Sequence, residues 1–132
     1  MNKVIVRFAD GRMIKGTTAD FFPNKDLFHV SVEDTPAQEK PMEINTQDLK
    51  ALFFVKDFEG DGQHDEGGEF DSSRPPSGRR IKVVFNDGEI LLGTTTGYQP
   101  KRSGFFVVPA DAESNNERCY VIAAATREVS FL

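Results

Sequence analysis

Two stretches of this chain read almost alike: FADGRMIKGTTADFFP at residues 8–23 and FNDGEILLGTTTGYQP at residues 85–100. Laying Lys3–Asp34 on Arg80–Asp111 at a constant offset of 77 gives identical residues at 11 of 32 positions without a gap. After one inserted residue the alignment continues at an offset of 78. Gln38-Glu39-Lys40 then falls on Asn116-Glu117-Arg118, Ile44 on Ile122, and KALFF (50–54) on EVSFL (128–132). A repeat that runs from end to end makes the chain a duplicated module, because each copy must satisfy the same local pattern of strand and turn. The expected organisation is a first unit at 1–55, an acidic Gly/Pro linker at 56–79 and a second unit at 80–132.

Inside each unit the shared positions are strand core and turn chemistry. Val4, Val6 and Phe8 alternate with Ile5 and Arg7, as Ile81, Val83 and Phe85 do with Lys82 and Val84. That period of two belongs to a strand with one buried face. Asp10-Gly11 and Asp87-Gly88 supply the residue pair of a tight two-residue hairpin, which needs positive φ at its centre. Gly16 and Gly93 fall within the next strand, where a missing side chain marks a bend or bulge. A third strand is read at Phe28–Val32 and Phe105–Val107, a fourth at Met42–Ile44 and Tyr120–Ile122, and a fifth at Ala51–Val55 and Val129–Leu132. The only helical signal is a single turn at Thr46–Asp48. Five short strands in 53 residues, with a bent second strand and a last strand able to pair with the first, predict an all-β chain of tandem SH3-like or Sm-like barrels.

Composition locates the charge. Hydrophobic residues make up 38% of the 132 residues, and no apolar run approaches the roughly 18 residues of a membrane span. No charged-then-apolar leader opens the sequence. One cysteine, Cys119, cannot form an internal disulfide, and a small secreted domain ordinarily carries several bridges. The expectation is a soluble protein of the reducing cytoplasm. Segment 56–78 holds seven acidic and two basic residues, so the net charge of −5 belongs to it and the two units are neutral. Its five glycines and two prolines read as a disordered, solvated spacer. Asp57-x-Glu59-x-Asp61-Gly62 has the spacing of the first half of a calcium loop, but the twelfth place, which requires a bidentate Glu, is Gly68.

The ending GFFVVPADAESNNERCYVIAAATREVSFL resembles the end of an uncharacterised bacterial domain family found in chains that also carry signalling modules. The resemblance covers residues 80–132, with 3–55 as a diverged copy. It implies a small β-barrel and a bacterial origin, and it brings no activity with it.

No catalytic constellation stands out. His29 takes the place of Phe106 in the third strand and reads as a packed or edge residue, His64 lies in the spacer, Cys119 opens a strand as a small apolar filler would, and no phosphate loop, HExxH or CxxC occurs. The expectation is a non-enzymatic chain with no cofactor and no bound metal. Binding remains, in three forms. A protein-interaction or regulatory module in bacterial signalling is the leading reading, since small barrels offer loops and open edges to a protein partner and tandem copies raise avidity. Cyclic dinucleotide binding (cyclic di-GMP) is suggested by SRPPSGRR, which is similar to the arginine clamp of PilZ domains. Arg74 and Arg79, however, are separated by four residues rather than three, and no [DN]xSxxG follows. Sm-like RNA binding comes last, because neutral units lack a basic footprint. The candidate binding residues are Arg79, Arg80, Lys101, Arg102, Asn115, Asn116 and Arg118.

Overall fold

The computed structural model describes residues 1–36, 39–58, 78–111 and 114–132. Ten strands follow one another as β1 (Asn2–Phe8), β2 (Met13–Thr18), β3 (Leu27–Val32), β4 (Met42–Asn45), β5 (Leu49–Val55), β6 (Arg79–Phe85), β7 (Ile90–Thr95), β8 (Gly104–Pro109), β9 (Asn116–Ile122) and β10 (Thr126–Phe131). Single 3-10 turns, Thr46–Asp48 and Ala123–Ala125, precede β5 and β10. The first is the turn expected from sequence. The chain is all-β, and the strand succession of the first half is repeated in the second.

All strands belong to one antiparallel sheet in the order β10-β6-β7-β8-β9-β5-β1-β2-β3-β4. Within each half the last strand does pair with the first, β5 with β1 and β10 with β6. One pairing goes beyond the expected tandem barrels. β5 of the first half also pairs with β9 of the second, Ala51 opposite Val121 and Phe53 opposite Cys119, so the sheet runs on from one half to the other and does not close. Most of the expected linker, including the calcium-like fragment beyond Asp57, lies outside the described residues.

Register also corrects the alignment. Leu27 opposite Asn45 corresponds to Gly104 opposite Ile122, and Val4 opposite Phe54 to Ile81 opposite Phe131. The offset is therefore 77 throughout and no residue is inserted. Ile44 matches Val121, Lys50 matches Arg127 and Phe53 matches Ser130. A shift of one residue exchanges the two faces of a strand, so the similarity of KALFF to EVSFL paired inward with outward positions.

The hairpins differ from expectation in detail. Gly11 and Gly88 have φ of +97° and +92°, whereas Asp10 and Asp87 do not have positive φ. The amide of Gly11 donates to the Phe8 carbonyl at 3.1 Å and that of Phe8 to the Arg12 carbonyl at 2.9 Å, which is a three-residue loop closed by a bulge at glycine. Each aspartate accepts from the backbone two residues on, Asp10 from Arg12 and Asp87 from Glu89, both at 3.0 Å. Gly16 and Gly93 mark a close approach of strands. A Cβ at either would run into the backbone carbonyl of Ser31 or Val108 and lie 2.6 Å from Val30 or Val107.

Two cores form on opposite faces of the continuous sheet. One gathers Val4, Val6, Phe28, Val30, Ile44, Leu49, Leu52 and Phe54 of the first half, with Tyr120 and Ile122 of the second. The other gathers Ile81, Val83, Phe85, Phe105, Val107, Cys119 and Val121 of the second half, with Ala51, Phe53 and Val55 of the first. β5 is buried at all seven positions because each of its faces belongs to a different core. The inner face of one half continues as the outer face of the other.

Candidate functional site

The seam between β5 and β9 is where the two halves build something neither has alone. Its floor follows from strand alternation. Leu52 faces Tyr120 and Phe54 faces Arg118 on one side of the sheet, so apolar and aromatic side chains from both halves stack across it. Phe21, from the β2–β3 connection, closes over them with ring centroids 5.2 Å from Phe28, 5.2 Å from Tyr120 and 5.9 Å from Phe54. Phe106 on β8 meets Tyr120 at 4.9 Å. Edge-to-face geometry of this kind adds to what burial alone contributes.

The seam is also locked by charge. Lys50 on β5 is buried, yet its Nζ lies 2.7 Å from Asp87 Oδ2 and 3.1 Å from Glu89 Oε2 on the β6–β7 hairpin. It sits 4.7 Å from the centre of the Phe85 ring, in a small cavity also bordered by Ala9, Gln47 and Ala125. The hydrogen bond from Lys50, followed by that from the Glu89 amide, holds the Asp87 carboxyl below its ordinary range.

A groove of about 480 Å3 opens where the β2–β3 connection of the first half meets the β7–β8 connection of the second. Pro23 and Asn24 form one wall, Thr96 and Gly97 the other, and Phe106 and Tyr120 the floor, with Arg102 at the rim. Gly104 is required here: a Cβ on it would stand 2.5–2.6 Å from the Tyr120 ring and hydroxyl. Burial pushes the Tyr120 phenol up, against a hydrogen bond with Ser103 and the nearby Arg102 charge, which pull it down. The Arg118 guanidinium lies 4.4 Å from the Phe54 ring centre and 5.0 Å from that of Phe106. Groove and stack together set the partly buried Phe106 and the nearly enclosed Phe54 and Tyr120 beside the guanidinium groups of Arg102 and Arg118.

Of the residues singled out in the sequence, Arg102 and Arg118 reach this surface, and Lys101 stands beside Arg102 in the same turn. Asn115 does structural work instead. Its Oδ1 accepts from the Asp57 amide at 3.2 Å and its Nδ2 donates to the Asp57 carbonyl at 2.9 Å, which fastens the chain leaving β5. Asn116 pairs with Val55 in the ladder. Arg79 and Arg80 begin β6, Arg79 lying 3.7 Å from the Phe131 ring centre and Arg80 accepting through its carbonyl from the Leu132 amide. Sequence reasoning missed Phe21, Phe106, Tyr120 and Lys50. The run ALFFV (51–55), apolar without alternation, was the available sign of a strand buried on both faces.

The remaining chemistry-bearing residues stand apart from the groove. His29 is exposed, with Nδ1 2.7 Å from Asp20 Oδ2 and its amide donating to Asp20 Oδ1 at 2.8 Å. That amide bond, with the imidazole and Thr18 adding to it, lowers the Asp20 carboxyl. Cys119 is a buried thiol in the ladder opposite Phe53. Among the described residues no group of three or more His, Cys, Asp or Glu is placed to hold a metal ion, and no helix is long and apolar enough to cross a membrane.

No curated protein and no solved structure matches the chain. A family model does match, and it spans residues 1–132, both copies of the repeat included. The chain belongs to that family, described as "Family of unknown function (DUF6982)".

Proposed function

We propose that the chain is a non-enzymatic protein-interaction or regulatory module of bacterial signalling, built from two SH3-like or Sm-like units and working in the cytoplasm. The observation that carries this reading is the seam groove. Its floor of Phe106 and Tyr120 and its rim of Arg102 combine the residue types over-represented where proteins bind one another. The signalling context rests on the resemblance of residues 80–132 to domains found beside signalling modules.

A cyclic dinucleotide clamp at Arg79 and Arg80 ranks behind it. Neighbouring residues of a strand point to opposite faces, and the Arg79 guanidinium lies against Phe131. Sm-like RNA binding ranks behind both, because by sequence the two units carry no net positive charge.

The test is affinity capture from a native bacterial extract with the wild type and with the Arg102→Glu, Arg118→Glu double variant. A protein retained by the wild type and lost from the double variant, whose fold is checked by its amide spectrum, supports the reading. Identical capture profiles would remove the groove from consideration as an interaction site.

A further inference from the structure

We propose that two copies of the chain join through β10, edge to edge and antiparallel about a two-fold axis at Ser130, so that Val129 of each copy lies against Phe131 of the other. The proposal concerns a second surface and stands or falls separately from the groove.

The backbone supplies the first part of the argument. β10 ends the sheet, so among the described residues no strand lies on its outer side. The Leu132 amide donates to the Arg80 carbonyl at 3.0 Å, and Ser130 stands opposite Lys82 in the same ladder. Bonding direction alternates along an antiparallel strand. Ser130 and Leu132 therefore turn their peptide groups toward β6, while Val129 and Phe131 turn theirs to the open side. An axis at Ser130 sets Val129 and the partner's Phe131 directly opposite each other, so each copy gives two ladder bonds and receives two. The irregular step between Thr126 and Glu128 falls at the end of the paired stretch, 128–132, and does not interrupt it.

The side chains supply the second part. Val129 and Phe131 are the counterparts of Leu52 and Phe54 at the offset of 77, and they remain only partly buried against the second core. Leu52 and Phe54, which have β9 beside them, are 0% and 4% exposed. In the seam Leu52 faces Tyr120. The two-fold repeats that pairing twice, with Val129 facing the partner's Phe131, aliphatic against aromatic on either side of the axis. On the other face Ser130 meets the partner's Ser130 and Glu128 meets the partner's Leu132, so no charge stands opposite its like. Joining β10 to β4 of a second copy fits worse. In the register of the internal seam Glu43 would face Val129 and Met42 would face Ser130, charge on an apolar residue and an apolar residue on a hydroxyl. The polar residues at the two edges thus bar the open-ended, head-to-tail contact and admit the closed, isologous one.

A contact of about five residues a side is smaller than the roughly 20 of a standard interface, so the dimer forms and parts with concentration. The test uses the intact labelled protein between about 20 μM and about 1 mM, a range that reveals even millimolar self-affinity. Sedimentation is expected to pass from monomer to dimer across it, with shifts of the Glu128–Phe131 amides and slowed exchange at Val129 and Phe131. Ser130→Lys sets like charges across the axis and is expected to weaken the dimer at least tenfold while the monomer keeps its dispersed spectrum. Ser130→Cys is expected to oxidise to a covalent dimer, because a non-hydrogen-bonded pair brings its Cα atoms to about 4.5 Å, within the range of a disulfide. Glu128→Cys, on the same face but opposite Leu132, is expected not to do so, and Cys119 is buried, so the wild type serves as the blank. A chain still monomeric at about 1 mM would overturn the proposal and leave the edge to a strand of another protein. So would a dimer whose β10 amides do not move, or one that Glu128→Cys cross-links as readily as Ser130→Cys.

Discussion

Burying an ammonium group costs several kcal/mol unless its charge is met by well-placed carboxylates. At Lys50 the side chain is 6% exposed and the carboxylates of Asp87 and Glu89 stand half in solvent, so the two sides of this interaction are unequal. Removing the carboxylates strands a buried charge, whereas removing the charge leaves two carboxylates that water can reach. Asp87→Asn with Glu89→Gln is therefore expected to cost about 3 kcal/mol, and Lys50→Met, which fills similar volume, less than about 1 kcal/mol. Urea unfolding of the two variants measures the ordering, and a costlier Lys50→Met would contradict it. The pH dependence follows from the same pair. Asp87 has its carboxyl lowered in the folded state from an ordinary value of 3.8, so the folded protein holds its proton less tightly than the unfolded chain. Its contribution is complete above the ordinary value and disappears as pH falls through the lowered one. Asp10 and Asp20 are lowered too, by bonds within their own half. Lys50→Met should thus keep part of the acid sensitivity and lose the seam's share. Its stability, measured from about pH 5 down to about pH 2, should fall less than that of the wild type.

Single strands explain both what could be read from the sequence and what could not. The alternation in β1 and β6, the Asp-Gly hairpins and the turn at Thr46–Asp48 were legible because each is set by neighbours in the chain. The pairing of β5 with β9 was not, because it depends on residues 61–70 positions apart and on a register that the apparent inserted residue concealed. Of the site, the arginines at 102 and 118 were legible as exposed polar loops and strand ends. The aromatic floor was not, since Phe21, Phe106 and Tyr120 come from three different elements. The free edges carry a further message in the residues that replace the seam's apolar ones. Tyr120 and Ile122 of β9 correspond to Glu43 and Asn45 of β4, and Ala51 and Phe53 of β5 to Glu128 and Ser130 of β10. Charge at an exposed edge is how sheets avoid joining one another. Giving β4 and β10 the seam's residues, by Glu43→Tyr, Asn45→Ile, Glu128→Ala and Ser130→Phe, is expected to produce head-to-tail association, which is open-ended because the two edges differ. Sedimentation over a concentration series checks this. A quadruple variant that sediments as the wild type does would mean that polarity is not what ends the sheet.

At the scale of the molecule, the exchange of side chains between the cores decides whether the repeat is two modules or one. The second half contains Ile81, Val83, Phe85, Phe105 and Val107, but Ala51, Phe53 and Val55 in the same core come from the first half. The first core in turn takes Tyr120 and Ile122 from the second. Burying a phenylalanine or a valine contributes on the order of 1.5 to 3 kcal/mol, so the three borrowed side chains are worth about 5 kcal/mol. A unit of 53 residues has a total stability of about 3 to 8 kcal/mol on typical per-residue values. The loan is thus as large as the margin on which such a unit folds, and small single cores have little to spare. Residues 78–132 expressed alone would lose that contribution and expose Tyr120 and Ile122 on the uncovered face of β9. The fragment is expected to give a collapsed amide spectrum, and to recover the dispersed spectrum of the full chain when residues 1–56 are added in trans. The first fragment supplies β5, and with it Lys50 for Asp87 and Glu89, so reassembly should also be lost when the added fragment carries Phe53→Ser, the residue that the repeat itself places at Ser130. A dispersed, cooperatively melting spectrum from 78–132 alone would show that the second core closes without β5, and that the two halves share a sheet without sharing their stability.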